Sequence, residues 1–555
     1  MVGAIRSYHA TCDKDERWGT ASAITKDWKG VAMPKLNDVN TNDIAAAIRL
    51  GCRTMHNVFD ADDGGVPFFS SLIEPEALLA FNAVHSEAHV PGRHLNALLS
   101  AEDAIGAAVD EAAIGNHRRA AFLSYSGPVA LPLNRETKDG APINFCAHNL
   151  REGFHALYAL ARFRDDREAR ELAENSITAI GQLWDADDRW DLPALEQLGL
   201  VYQNGSGFIQ GEARMLGPLV KYYRATGYVP ALDLALVLKE KAVNEFYLLD
   251  GSFDQQRFET AHTHSITCVL SSLAQLADLL GDGALMLRVK AFCEDGLWAM
   301  RDELGWSCEL TTQEDSDHGE TNNSGDILET ALILGRWGFG DYYQDAERML
   351  RGHLLPAQLR DNSFIADPPN PDNIDGLREV ADRHLGAYGF PAPYGHKSVG
   401  KGRTNLSFNM DIVGGTVASL CEAYRQVVRS EESGHWVNML FDHETEAVRV
   451  QSPYTGDGLQ VEAKKAGPLW VRIPSWVARE TVRVTGATVT WSDDYLFVAE
   501  PPVGAAVRID FPLTEQELLL SERLHIEPIR TRLCGDEVVA MDNFGAERTF
   551  FDSYA

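Results

Sequence analysis

Asn149-Leu-Arg-Glu-Gly-Phe-His-Ala-Leu-Tyr-Ala-Leu-Ala-Arg-Phe163 decides the fold class. Leu150, Phe154, Leu157, Leu160 and Ala161 fall on one face of a 3.6-residue period, so the segment reads as a helix with a single apolar stripe. Outward from it the same period predicts helices near 167–184, 211–226, 230–247, 264–281, 284–302, 324–337, 341–359 and 411–429. Weaker helical segments near 41–51, 75–88 and 101–115 bring the number to about twelve. Thr226-Gly227, Leu280-Gly281-Asp282-Gly283 and Gly338-Phe339-Gly340-Asp341 read as helix stops followed at once by helix starts. Twelve antiparallel helices with alternating short and long loops make an (α/α)6 toroid. The long connections 186–210, 250–263, 303–323 and 360–410 are rich in Gly, Asn, Asp, His and aromatics, the material of a cleft at one end.

Past about residue 434 the period shortens. Trp436–Phe441, Ala447–Gln451, Gly458–Lys464, Leu469–Ile473, Thr481–Val484, Ala487–Trp491, Tyr495–Ala499 and Ala506–Phe511 are short β-rich runs separated by turns such as Thr455-Gly456-Asp457-Gly458. They predict an antiparallel β-sandwich of about eight strands. The expected organisation is an N-terminal segment (1–40) without a clear pattern, an (α/α)6 domain (41–433), and a β-sandwich with a C-terminal tail (434–555).

Composition bounds the function. Of 555 residues, 45% are hydrophobic and 24% charged, an ordinary globular balance that excludes disordered and collagen-like classes. Eighty-one acidic residues against 50 basic ones give a net charge of −31, which repels phosphate backbones and anionic membranes. No apolar run approaches the ~20 residues that span a bilayer. Met1-Val-Gly-Ala-Ile-Arg6 is no signal peptide, so the expected location is cytoplasmic, or outside after removal of a leader. The eight cysteines are scattered without a CxxC pair and read as reduced core thiols. No metal and no cofactor is expected. The expected partners are an oligosaccharide or glycoside and, at most, a second copy of the chain in a homodimer.

Candidate chemistry gathers in three places. Gln313–Asp326 ends at a helix start, with Ser324 as a candidate cap, and carries Asp317, His318 and Glu320 within a span of four residues. A general acid there needs an apolar wall or a second carboxylate, such as Asp315 or Asp317, to raise its pKa; a solvated capping loop is the plain alternative. His262 and His264, two residues apart before a helix, suit sugar hydroxyls or a metal that lacks an obvious third ligand. Tyr394, His396, Lys397, Lys401 and Arg403 form a basic, Gly-rich loop able to clamp an anion, and Asp411 opens the helix after it. Arg93, His148, Asn149, Arg151, Glu152, Gln210 and Glu212 also stand at helix starts, which in a toroid share a rim.

With His262-Thr-His264-Ser, Gly319-Glu320-Thr, Gly325-Asp-Ile-Leu-Glu-Thr-Ala331, Gly340-Asp-Tyr-Tyr343 and Val471-Arg-Ile-Pro-Ser-Trp476 in order over about 90–510, the chain resembles the six-hairpin (α/α)6 glycoside hydrolases of family 127, β-L-arabinofuranosidases, and their family 154 β-glucuronidase relatives. The resemblance implies that fold, a carbohydrate substrate, and Glu320 as acid or base. It does not carry the family 127 zinc–thiolate centre across. Asn322 stands where the Glu-Thr-Cys motif has its cysteine, and Gly414-Gly415 stand where a Cys pair is expected.

The leading expectation is an exo-acting glycoside hydrolase on a terminal β-linked uronic acid. Glu320 is its general acid; Asp317, Asp411 or Glu212 is the second carboxylate; Lys397, Lys401, Arg403, Arg151 and Arg93 are donors to the sugar carboxylate. A hydrolase of a neutral arabinofuranoside, a uronate lyase using His264, Tyr394 and Arg403, and a non-catalytic glycan-binding protein are the alternatives.

Overall fold

Aspartates start four of the six helical hairpins and glycines stop three of them. Asp43, Asp110, Asp166 and Asp282 each accept a hydrogen bond from an amide of the helix they precede. Gly106, Gly227 and Gly281 end helices with left-handed backbones (φ 60, 74 and 64°). The computed structural model describes residues 35–555 apart from 186–188, 204–206, 315, 401–404, 522 and 555.

The result is six successive helix pairs: α1 (Ile44–His56) and α2 (Val90–Ile105), α3 (Glu111–Ser124) and α4 (Leu150–Arg164), α5 (Arg167–Leu183) and α6 (Leu216–Thr226), α7 (Val229–Lys241) and α8 (Thr263–Leu280), α9 (Gly283–Glu294) and α10 (Thr321–Arg336), and α11 (Asp341–Met349) and α12 (Ile412–Val427). The even-numbered helices form an inner ring: each packs on the next, and α12 closes on α2. The odd-numbered ones form the outer layer, α3 against α2, α5 against α4, and so on round to α1 against α12. This is an (α/α)6 toroid. Inner helices are buried nearly all round, as a ring sandwiched between core and outer layer requires. Where α2 crosses α4, a Cβ on Gly92 would lie 1.8 Å from the carbonyl oxygen of Glu152, so only glycine permits that approach.

Two helices differ from expectation. Residues 75–88 hold a short strand (Leu78–Ala80) and turns, and 101–115 spans the end of one helix and the start of another. Pro91 in the first turn begins α2, Gly106 ends it, and Asp110 begins α3. The apolar spacing was diluted there by His89, Arg93, His94 and Asn96, which are buried polar residues rather than surface ones.

Strands take over from Val428. One sheet has the order β1 (Val428–Glu431), β2 (Gly434–Val437), β6 (Leu469–Arg472), β9 (Tyr495–Val498), β8 (Thr490–Ser492). The facing sheet has the order β3 (His443–Glu444), β4 (Val448–Gln451), β5 (Leu459–Ala463), β10 (Ala506–Asp510), β7 (Arg483–Thr485). One pair, β2 with β6, is parallel, because the chain leaves β2 for the facing sheet and returns in the same direction. A further sheet, β11 (Glu515–Leu519), β12 (Arg530–Cys534), β13 (Glu537–Met541) and β14 (Asp552–Ser553), follows. Among the described residues no helix is long and apolar enough to cross a membrane. Six of the seven described cysteines are buried.

The Arg-Ile-Pro-Ser-Trp strand fastens the sandwich to the toroid. Arg472 is fully buried and donates to Gln344 Oε1 (2.8 Å), to the Asn438 carbonyl and to Glu347 of α11. Glu347 also accepts from the Leu440 amide (3.0 Å) and from Arg351 (3.1 Å). The Arg351 guanidinium lies between the Phe441 and Tyr454 rings, 3.9 and 3.8 Å from their centroids. Trp476 donates to Asp536 (3.0 Å). Arg472→Met strips Glu347 of one of its two buried cationic partners and should cost about 3–5 kcal/mol. The expected readout is a lower urea midpoint with native secondary structure retained without denaturant; an unchanged midpoint would show that this network does not hold the two layers.

Candidate active site

All six inner helices begin at the same rim, and none has a side-chain hydrogen bond capping its first turn. The residues at those starts turn toward one another instead. They are His89 and Arg93 from α2, Asn149, Arg151 and Glu152 from α4, Arg214 from the turn entering α6, His262 and His264 from α8, Glu320 from α10, and Asp411 from α12.

Glu152 is the hub. It is fully buried, and its Oε1 accepts from Arg93 (3.4 Å), Arg151 (3.0 Å) and Arg214 (2.9 Å). Burial alone would raise its pKa, but Arg214, His89, Arg93 and Arg151 together hold it well below the usual carboxylate range. Arg93 reaches on to Asp411 (2.8 Å) and Glu320 (3.6 Å), both through Nη1. His89 meets Asp411 through Nε2 (3.2 Å) and Asn149 through Nδ1 (3.0 Å).

The two carboxyl groups bridged by Arg93 are driven apart. For Asp411, desolvation is outweighed by Arg93 and His89, and the group is held below the ordinary carboxylate range. For Glu320, desolvation wins: burial raises its pKa, and the charge of Asp411 raises it further against the pull of Arg93. Glu320 accepts from the Asn322 amide (2.6 Å), and His262 Nε2 lies 3.9 Å from its second oxygen. Below them Asp326 takes Arg151 (3.4 Å), His264 Nε2 (3.3 Å) and Thr267 (3.1 Å), yet burial still pushes it up to about 7. Arg93 donates to His264 Nδ1 (3.3 Å), which leaves the imidazole proton on the nitrogen facing Asp326. Burial first, then the neighbouring cations, depress His85, His148, His262 (to about 3) and His264, so these rings are neutral. They form an arc with His89: His85 to His89 5.0 Å, His89 stacked on His148 5.6 Å, His148 to His262 5.5 Å, His262 to His264 5.8 Å between ring centroids. At the mouth, the His262 and Arg151 side chains keep 20% and 14% of their surface exposed.

A ring of inner helices whose starts build one charged cleft is a known architecture. The chain has the six-hairpin glycosidase fold. It is similar to a family 127 β-L-arabinofuranosidase from Geobacillus stearothermophilus T6, with a TM-score of 0.53 at 15% identity over 89% of this chain and 80% of that one. It is likewise similar to another family 127 β-arabinofuranosidase, with a TM-score of 0.55 at 14% identity and the same coverage. No protein-family model matches the sequence, and no curated protein matches it.

The cleft gathers Glu320, Asp411, Arg93, Arg151, His262 and His264 as the sequence led one to expect. Other candidates are placed elsewhere. Asp317 is turned away from Glu320: it accepts from Tyr394 (3.2 Å) and pairs with His525 (3.1 Å), which also binds Asp302 (3.2 Å). Tyr394 spends its hydroxyl on Asp317 and on the Val399 amide (2.9 Å). Glu212 accepts from the Trp190 indole (2.6 Å), while Arg214, two residues on, enters the cleft. His318 stacks on Phe390. His396 is buried between Phe408 and Phe550 and pushed down to about 3, so it is an uncharged core ring and not part of a basic patch. Lys397 is paired with Glu74 (2.9 Å), and Lys401, Arg403 and Asp315 lie outside the described residues. Ser324 does not cap α10; Glu320 holds that position, and the Ser324 hydroxyl donates to the Gly305 carbonyl (2.6 Å). Arg214, Asp326 and His85 were not singled out from sequence.

The zinc–thiolate centre of the resemblance does not fit. Asn322 hydrogen-bonds Glu320, and a Cβ on Gly415 would sit 2.2 Å from the Asn322 side-chain oxygen. Two other sets could hold a cation: His262, His264 and Glu320, and His85, His89 and His148, each with ligand atoms within 4.8 Å of one another. Arginine already occupies part of both, Arg93 on His264 and Arg214 on His148, and a metal would have to displace it.

The Asp302–His525–Asp317 bridge makes a pH prediction. The two carboxylates overcome desolvation and raise His525 to about 9. A raised folded-state pKa stabilises fully below the unfolded value of ~6.5, and the effect fades as pH climbs through 9. The melting-temperature gap between wild type and His525→Gln should therefore be largest below about pH 6.5 and close toward pH 9 and above. A gap that widens with pH would contradict the bridge.

Proposed function

We propose that this chain is a glycoside hydrolase acting on a terminal β-linked uronic acid. The observation that carries it is the Glu320–Asp411 pair: two carboxyl groups on one arginine, one pushed toward its neutral form and the other held ionised. That division supplies a proton donor for the leaving oxygen and an anion for the sugar carbon. Glu320 is the general acid and Asp411 the nucleophile. Because both reach the same Arg93 nitrogen, their spacing favours the ~5–5.5 Å arrangement of retaining enzymes over the ~6.5–9.5 Å that leaves room for water. Arg93 and His89 hold Asp411 charged, and Asn322 orients Glu320. The neutral rings of His85, His148 and His262 offer donors and acceptors for sugar hydroxyls without adding charge.

The uronate reading rests on local charge. Arg93, Arg151 and Arg214 face Glu152 and Asp411, while Glu320 and Asp326 tend toward protonation, so the cleft is far less negative than the chain as a whole. Six helix N-termini add their positive dipole ends to the same rim. Arg151, at the mouth, is the donor for the sugar carboxylate. A lyase mechanism finds less support, because the Tyr394 hydroxyl is committed to Asp317 and Val399.

The test is hydrolysis of 4-nitrophenyl β-glucuronide, β-glucoside and L-arabinofuranosides. The glucuronide should be cleaved fastest, with retention of configuration by NMR. Neutral glycosides cleaved equally well would overturn the substrate assignment. Glu320→Gln should lower kcat at least ~10²-fold and remove the alkaline limb of the pH profile, since the acid must be protonated to act; near-normal kcat would remove Glu320 from the mechanism. Arg151→Ala should raise KM for the glucuronide well beyond its effect on any neutral substrate, because a charge-assisted contact is lost only there.

A further inference from the structure

A second groove lies away from the catalytic rim, where the α9–α11 region meets the first sheet of the sandwich, with a volume of about 880 Å3. Trp436 and Trp470, the middle of an aromatic ladder, line it. Arg429, Trp436, Trp470 and Phe497 are cross-strand neighbours on β1, β2, β6 and β9 and share the outer face of the sheet. Trp436 and Trp470 stack at 4.6 Å with 5° between their planes; Phe497 follows at 4.9 Å, and the Arg429 guanidinium covers the other end at 4.9 Å. All four are half-buried, whereas their strand neighbours Val437, Val471 and Leu496 are buried in the sandwich core. Across the groove Trp298 is 38% exposed. Asp341, Asp493 and Asp494 rim it, and among the described residues Asp341 and Asp493 have no ion-pair partner.

We infer that this groove binds a neutral polysaccharide chain. The exposed indole edges of the ladder and the Trp298 ring opposite give apolar surface to the C–H groups of pyranose units, and carboxylates accept from hydroxyls, which replace the water that the carboxylates would otherwise lose. A protein partner with a dry interface would leave those carboxylates unpaired and desolvated. A second copy would bring the same acidic rim at net charge −31, and an anionic polymer meets the same repulsion. The inference does not depend on the roles of Glu320 and Asp411.

Affinity electrophoresis in native gels containing hydroxyethylcellulose, arabinan, galactomannan or polygalacturonate tests it. At least one neutral polymer should retard the protein, and polygalacturonate should not. Trp298→Ala should bind that polymer about tenfold more weakly, and Trp470→Ala should do the same. Hydrolysis of small aryl glycosides should be unchanged in both. Trp298 stands outside the sheet, so its variant keeps the test decisive if Trp470→Ala loosens the ladder. No retardation by any neutral polymer, wild-type binding by Trp298→Ala, or stronger retardation by polygalacturonate would overturn the inference.

Discussion

One buried carboxylate oxygen, Glu152 Oε1, gathers three arginines from three parts of the inner ring. Three guanidinium groups in so dry a place would repel one another, and a lone carboxylate there would be neutral. Together they are tolerated, because two of the three find a second carboxyl group further on, Arg93 in Asp411 and Arg151 in Asp326, while Arg214 turns to His148. This arrangement fixes which groups on the rim stay charged. It leaves Glu320 and Asp326 raised by burial, while Glu152 and Asp411 are held low by the neighbouring arginines.

The ring geometry explains why that hub exists. Four of the six outer helices satisfy first-turn amides with Asp caps, whereas all six inner helices forgo side-chain caps and turn residues at their starts to the cleft. Local helix preference is sacrificed where the six starts converge, the pattern expected when a site and a stable helix end compete for the same residues.

Much of this was legible in the sequence. The change from a 3.6-residue to a two-residue period located the β-rich runs closely, from Ala447–Gln451 against an observed Val448–Gln451 to Ala506–Phe511 against Ala506–Asp510. Polar residues at helix starts flagged Arg93, Arg151, His262, His264, Glu320 and Asp411, because burial at a rim was implied by topology. Chain neighbours could not reveal direction. Asp317 lies three residues from Glu320 but faces His525, more than 200 residues away in sequence. Likewise, His396 lies in an apparently basic loop, yet two phenylalanines enclose it. Asp326 was hidden for the opposite reason: within a helix it looks like a surface residue until the ring closes over it.

The His525 bridge also bears on how such a chain evolves. Asp302 and Asp317 belong to the loop that delivers Glu320, and the group that neutralises them arrives from beyond the sandwich. Deleting or exchanging the C-terminal region would leave two buried carboxyl groups without the imidazole they share, beneath the loop that carries Glu320. The β modules are thus not freely shuffled appendages; a substitution at residue 525 would be felt in the loop that carries residue 320.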